Sequence, residues 1–405
     1  MKKNFLLITS LAWTTYFLNA DWRGFRGTEG NGLSKGEIPA TLSQTSKDSW
    51  KVPLPGRGLS SPIVVGDLVF VTASSGSQQS NLHVLAYETV NGNKVWERIF
   101  RATGRTICHN KTCVAASTMV SDGNVVVAQF SSNDIFCLDL KGNLIWLRGL
   151  TFDYPNIANG LGMSSSPVVA QGVLVSQVEN DADSFTFGLN LKNGTTLWKK
   201  DRPRGANWTS PIVLENKSFE WVGLQSKEGI SFLKPVNGEF MWQYKDGAST
   251  IPSSAISFEN KTLLVPSNGL TALRTPEYGQ NPEQLWRNNK LAPGTGSPAI
   301  SGNQVFVINR ANVLTSASIK TGEINWRLRI KGPISGSPIV TSNLLFIFSE
   351  EGLCQIIDIK EESEAKVIRE IDLKDTILCT PAADKGSIFV RSDRTLWKLS
   401  KKNNL

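Results

Sequence analysis

The chain has 405 residues, 40% of them hydrophobic, enough for one large all-β domain. Its formal charge of +8 is spread along the chain, with no basic block longer than the tail Lys398–Lys402. That pattern reads as solvated surface and argues against nucleic acid as a partner, and no stretch after residue 20 is long and apolar enough to span a bilayer.

In chain order, residues 1–20 read as a Sec-type signal peptide. Lys2 and Lys3 form its positive start, Phe5 to Leu18 is mostly apolar, and Ala20 precedes the polar Asp21. An uncleaved anchor is the alternative, and no cysteine near the cleavage point favours a lipid-anchored form. Residues 21–47 form an N-terminal extended segment, 48–400 a single repeat domain and 401–405 a basic tail.

Within 48–400 the tetrad Gly-x-x-x-Trp occurs five times, closing at Trp96, Trp146, Trp198, Trp242 and Trp326. Trp50 and Trp286 keep the same phase without the glycine, and the steps from Trp50 are 46, 50, 52, 44, 44 and 40 residues. Such a period marks an array in which each unit is one small sheet. A second marker opens each unit: Ser61-Pro62, Ser166-Pro167, Ser210-Pro211, Ser297-Pro298, Ser337-Pro338 and Thr380-Pro381, with Ser117-Thr118 and Ser254-Ala255 as degenerate copies. Between markers lie short β-branched and aromatic runs bounded by Gly, Asn and Asp, which are strand and hairpin signals. The expected fold is therefore all-β, an eight-bladed β-propeller of four-stranded antiparallel blades. The last unit lacks a Trp-bearing strand, and Ser49-Trp50-Lys51-Val52 is expected to supply it and close the ring. Glycine is expected where the turn between third and fourth strands needs positive φ, and tryptophan where blades splay apart at the rim. Unit seven departs from the pattern, with Val367-Ile368 in place of the tryptophan.

Cysteine usage fits an exported protein. Cys108 and Cys113 flank a short polar loop and read as a local disulfide. Cys137 and Cys354 read as core, and Cys379 as core or channel lining. Two histidines, His83 and His109, are too few to suggest a zinc site, and no metal is expected.

The Ser-Pro opening and Gly-x-x-x-Trp closing together resemble the pyrroloquinoline-quinone-like (PQQ-like) repeat family of eight-bladed propellers, over about Trp50 to Leu399. Asp21-Trp22-Arg23-Gly24-Phe25-Arg26-Gly27 resembles the start of exported bacterial members. The family includes quinoprotein alcohol dehydrogenases and scaffold propellers of the BamB type, so the motif identifies the blade and not the activity. The resemblance implies a periplasmic or secreted bacterial protein.

Loop lengths locate the candidate site. From tryptophan to the next marker the gaps are 22, 21, 13, 13, 12 and 12 residues, so two adjacent inter-blade loops are enlarged. They carry Arg105, His109, Asp153, Tyr154 and Asn159; the next loop carries Arg204, Asn207 and Trp208. Second-to-third-strand turns on the same face add Arg310, Glu350, Arg391 and Asp393. Polar and aromatic loops gathered on one face of a rigid ring suggest a binding surface. The expectation is a monomeric, non-catalytic binding or scaffold propeller without a cofactor, whose partner is an envelope protein, a peptide or a polysaccharide. The alternative is a quinoprotein oxidoreductase with PQQ and Ca²⁺. By the resemblance that enzyme needs an Asp base, oxygen ligands and an adjacent-cysteine disulfide, and no Cys-Cys pair exists here. Ser/His/Asp chemistry finds no well-placed base, since His109 lies in an insertion and His83 in a strand-like run.

Overall fold

The computed structural model describes residues 21–157, 160–215, 219–251, 256–259, 261–277 and 280–402. They form eight antiparallel sheets in chain order around an axis. Blades 1 to 8 span residues 63–101, 120–149, 168–201, 212–244, 256–288, 299–329, 339–372 and 382–401. The predicted closure is present: Trp50–Pro53 pairs antiparallel with Thr395–Lys401, in register Trp50 to Lys398. Leu42–Ser43 pairs with the far end of the same strand.

Burial follows position in the ring. Middle strands such as Gln304–Ile308 are buried at every residue because blades cover both faces. Outer strands such as Ile324–Arg329 alternate, keeping Trp326 buried between exposed neighbours. Pairing slips by one residue beside Trp96, Trp146, Trp198, Trp242, Trp286 and Trp326, for example between Ala86 and Tyr87 opposite Trp96. That bulge turns the indole toward the next blade.

The glycine of the tetrad has two jobs. Gly142 has φ +82° and Gly194 φ +72°, as the turn requires. A Cβ on Gly142 would also stand 2.7 Å from the Trp96 ring, and one on Gly194 would stand 2.7 Å from Trp146. Four indoles thus lie on the glycine turn of the following blade and donate Nε1 to a carbonyl there: Trp96 to Leu140, Trp146 to Leu191, Trp198 to Pro235 and Trp286 to Ile319, whereas Trp242 Nε1 has no partner among the described residues. Trp326 faces blade 7, which lacks the glycine turn, and its Nε1 has no partner among the described residues.

The marker hydroxyls make a belt around the axis. The backbone N–H of Ser61 donates to Thr118 Oγ1 (3.0 Å), that of Thr118 to Ser166 Oγ (3.0 Å) and that of Ser166 to Ser210 Oγ (2.9 Å). Ser297 to Ser337 and Ser337 to Thr380 continue it. Proline suits the next position because it begins a strand and needs no ladder donor there. Ser254-Ala255 lies outside the described residues.

Residues 21–38 cross the face built from tight turns. Trp22 exchanges backbone hydrogen bonds with Val64 of blade 1, Arg23 accepts from Ser121 of blade 2, and Gly32 and Ser34 bond Val340 of blade 7. Phe25 lines the axial channel on that side, where a second cavity of about 310 Å³ lies between the segment and blades 2 to 4. At its docking site Asp384 is buried beside Asp21 and Asp67, and burial above all, with those two charges, pushes its pKa up to about 7. The folded state therefore binds a proton that the unfolded chain has released above about pH 4, and stability falls as pH rises from there through 7. Asp384→Asn should flatten this dependence, read as urea midpoints at pH 5 and pH 7.5; an unchanged slope would remove Asp384 as its source.

Candidate functional site

The axial channel opens on the loop-rich face as a funnel of about 460 Å³. Its floor is Phe25 and the hydroxyl belt; its walls are Leu59, Ala116, Leu161, Leu378 and Trp208. His109 and Lys111 stand at the mouth, and no carboxylate lines the cavity among the described residues. The mainly apolar wall with convergent polar groups is the usual form of a ligand or peptide pocket.

The enlarged first loop is fixed over this mouth. His109 N–H donates to the Leu161 carbonyl of the second enlarged loop, so the two insertions meet. Lys111 reaches across to Glu350 of blade 7 (3.1 Å), whose carboxylate also accepts from Ser335 Oγ (2.7 Å). Arg57 donates to the Asn110 carbonyl (2.7 Å) and pairs with Asp393 (3.1 Å). The third loop is pinned from below. Trp208 Nε1 donates to Gly162 O (2.9 Å), while buried Asn207 donates to Glu179 Oε2 (2.9 Å) and Gln225 O (2.7 Å). Glu179 also pairs with Arg202 at 2.6 Å. Burial pushes the Glu179 carboxyl above its ordinary range against the pull of Arg202 and Asn207.

The predicted site residues thus divide. His109 and Trp208 line the funnel; Glu350 and Asp393 hold its rim; Arg105, Arg204 and Arg310 are exposed on the same loops. Asn207 is a buried support, and Arg391 is no surface group at all. Fully buried, Arg391 donates to the carbonyls of Thr72, Ser392 and Asp393, tying blade 8 to blade 1. Asp153 and Tyr154 sit toward the rim: Asp153 pairs with Arg148 of an outer strand, and Tyr154 lies on Phe185 and under Lys199. Asn159 lies outside the described residues.

Cys108 and Cys113, expected as a local disulfide, are unpaired in the structure. Cys113 points into the core between blades 1 and 2, whereas Cys108 Sγ faces Gln79 Nε2 (3.5 Å). Core packing of the second thiol turns the two sulfurs to different surroundings. Cys379 lines the funnel and donates to Arg391 O (3.2 Å). Sequence reasoning missed the hydroxyl belt as a channel lining, although the recurring Ser or Thr was its signal. The quinone and Ca²⁺ of the alternative reading call for a carboxylate base and carboxylate ligands, and the described residues of the funnel lining carry no carboxylate. Among the described residues no cluster of His, Cys, Asp and Glu suits a metal.

A closed ring of eight four-stranded blades with a funnel on its loop-rich face defines a propeller of the PQQ-like class. The chain belongs to the family described as "Outer membrane protein assembly factor BamB", whose match covers residues 31–181 and 278–365, more than half of it. It is 26% identical over 225 residues to the outer membrane protein assembly factor BamB of Alkalilimnicola ehrlichii, covering 55% of this chain and 52% of that one. To the protein of the same name from Legionella pneumophila it is 22% identical, covering 51% of each. The chain therefore matches about half the length of these curated relatives. Among solved structures, BamB from Moraxella catarrhalis superposes with a TM-score of 0.66 at 15% identity, over 90% of this chain and 99% of that one. The quinohemoprotein alcohol dehydrogenase from Comamonas testosteroni superposes with a TM-score of 0.69 at 13% identity, over 95% and 81%. At such identities both likenesses concern the fold.

Proposed function

We propose that this protein is a scaffold propeller of the bacterial cell envelope, on the periplasmic side of the outer membrane, that holds a protein partner at the funnel mouth during outer membrane protein assembly. Membership of the BamB family supports the setting. The observation that carries the reading is the funnel on the loop-rich face: residues 21–38 cross the opposite face, and the enlarged loops meet around the funnel mouth. A partner there finds an apolar wall around Trp208 and an exposed rim of Arg105, Arg204 and Arg310, the common makeup of a binding hot spot.

The test is capture from detergent-solubilised envelopes of the source bacterium by the immobilised protein, wild type against Arg204→Ala/Trp208→Ala. The expected result is a defined partner whose yield falls at least about tenfold in the double variant, as loss of one aromatic and one arginine anchor implies. Equal capture by both would overturn the proposed face. Tight binding of pyrroloquinoline quinone with Ca²⁺ and dye-linked alcohol oxidation would overturn the scaffold reading itself.

A further inference from the structure

Blade 1 carries a side-chain constellation that the scaffold role does not use. Its second and third strands, Leu68–Ser75 and Asn81–Glu88, are eight residues each, against five to seven for the corresponding strands of blades 2 to 7. The extra length lifts their turn above the loop-rich face, where Gln79 Oε1 accepts from Ser74 Oγ and the Val114 N–H. On this raised hairpin Ser75 Oγ lies 2.7 Å from His83 Nε2, and His83 Nδ1 lies 2.8 Å from Glu97 Oε1. The sequence had left His83 as a strand residue without a catalytic partner; the structure supplies partners on both ring nitrogens.

Register explains the alignment. Ser75 is opposite Asn81 and Asn81 opposite Arg101; Ala73 is opposite His83 and His83 opposite Ile99; Leu85 is opposite Glu97. Residues directly opposite or two apart share a sheet face. Ser75, His83 and Glu97 therefore run diagonally across one face of three adjacent strands. The neighbours complete the arrangement. Lys94 Nζ holds the second Glu97 oxygen at 2.7 Å, leaving Oε1 for the imidazole. Burial raises the Glu97 pKa, but hydrogen bonds from Lys94 and His83 outweigh it and keep the carboxyl below its ordinary value. Asn81 Nδ2 stands 3.5 Å from Ser75 Oγ, and Arg101 donates to Asn81 Oδ1 (2.6 Å), so the amide N–H₂ is the end turned to the serine. Gly76 permits this approach: its φ is +77°, and a Cβ there would stand 2.8 Å from Asn81 Nδ2. Ile99 beside His83 is 59% exposed.

We propose that Ser75, His83 and Glu97 form a serine-esterase site for carboxylic esters with a short apolar acyl group. The serine is partly exposed, the histidine is buried beneath it, and the carboxylate fixes the imidazole, which is the division of roles that nucleophilic acyl transfer requires. Ser75 Oγ bonds to the acyl carbon as its proton passes to His83 Nε2, and the carbonyl π pair moves onto oxygen. Asn81 N–H₂ is the donor beside that oxygen. Collapse expels the alcohol, which takes the proton from Nε2; water then repeats the sequence, releasing the acid and restoring Ser75. Ile99 faces the acyl chain. Ser75 and His83 are the catalytic residues, and Glu97 is a positioning residue.

The test uses the full chain with a fluorophosphonate probe and p-nitrophenyl butyrate. The expected result is covalent labelling of Ser75 and slow turnover. Both vanish in Ser75→Ala, and His83→Gln lowers kcat at least about a hundredfold. Glu97→Gln should lower kcat with KM unchanged, which a merely structural loss would not separate. Wild-type protein that neither labels nor turns over, or label and turnover that survive Ser75→Ala, would overturn the proposal. Envelope capture by Ser75→Ala reads the scaffold role separately, since Ser75 is outside the funnel.

Discussion

Arg391→Ala should lower folding stability by about 3 kcal/mol, roughly the cost of leaving two buried carbonyls and one part-buried carbonyl without these donors plus a cavity. The guanidinium is fully buried, and burial lowers its pKa. Its N–H groups reach Thr72 O in blade 1 and Ser392 O and Asp393 O in blade 8. Gly58 lies so close to it that any side chain there would collide with the guanidinium. The residue is therefore part of the ring closure, acting where the last blade meets the first. Arg391→Met keeps much of the volume and loses the donors, so it should cost less than Arg391→Ala and more than a surface change. The check is urea unfolding followed by tryptophan fluorescence, with protease cleavage at the blade 8–blade 1 seam as a local readout. A midpoint within error of wild type for Arg391→Ala would show that closure does not depend on the Arg391 bonds. Envelope capture at low temperature should survive both changes, because Arg391 faces no partner.

How far the sequence could be read depended on whether a feature repeats. The tetrad and the Ser-Pro marker recur in phase because every blade needs the same turn and the same inner-strand start, so their spacing exposed the count and the closure by Trp50. Side chains that occur once gave no such phase. Arg391 and Arg204 look alike in sequence, both following a strand signal near a polar turn; only the packing of Gly58 and Thr72 separates a buried tie from an exposed rim group. Asp153 was placed on the right loop, yet a short helix at Leu150–Asp153 carries it outward to Arg148. Ser75, His83 and Glu97 are brought together by strand register, which linear spacing does not contain until the hairpin lengths are known.

Tryptophan and glycine in successive blades should prove energetically coupled, and the coupling separates packing from backbone conformation. Gly302→Ala offers the backbone term alone: φ is +54° and nothing lies within 4 Å of the new Cβ, so a cost of about 1 kcal/mol is expected. Gly194→Ala adds a Cβ 2.7 Å from the Trp146 ring at φ +72°, and should cost about 3 kcal/mol. The indole reports on the same contact from the other side. Trp146→Phe removes the Nε1 bond to Leu191 O (2.8 Å) and should cost about 2 kcal/mol. Trp326→Phe removes a buried Nε1–H that has no partner among the described residues, so it should cost less than about 1 kcal/mol. Denaturant midpoints of the four single variants and of Trp146→Phe/Gly194→Ala decide it. A double variant whose loss is smaller than the sum of its singles would show the clash relieved by the smaller ring. Equal losses for Gly194→Ala and Gly302→Ala would mean the glycine serves only its turn. Equal losses for Trp146→Phe and Trp326→Phe would mean the indole N–H contributes nothing, leaving ring area between blades as the whole of the fastening.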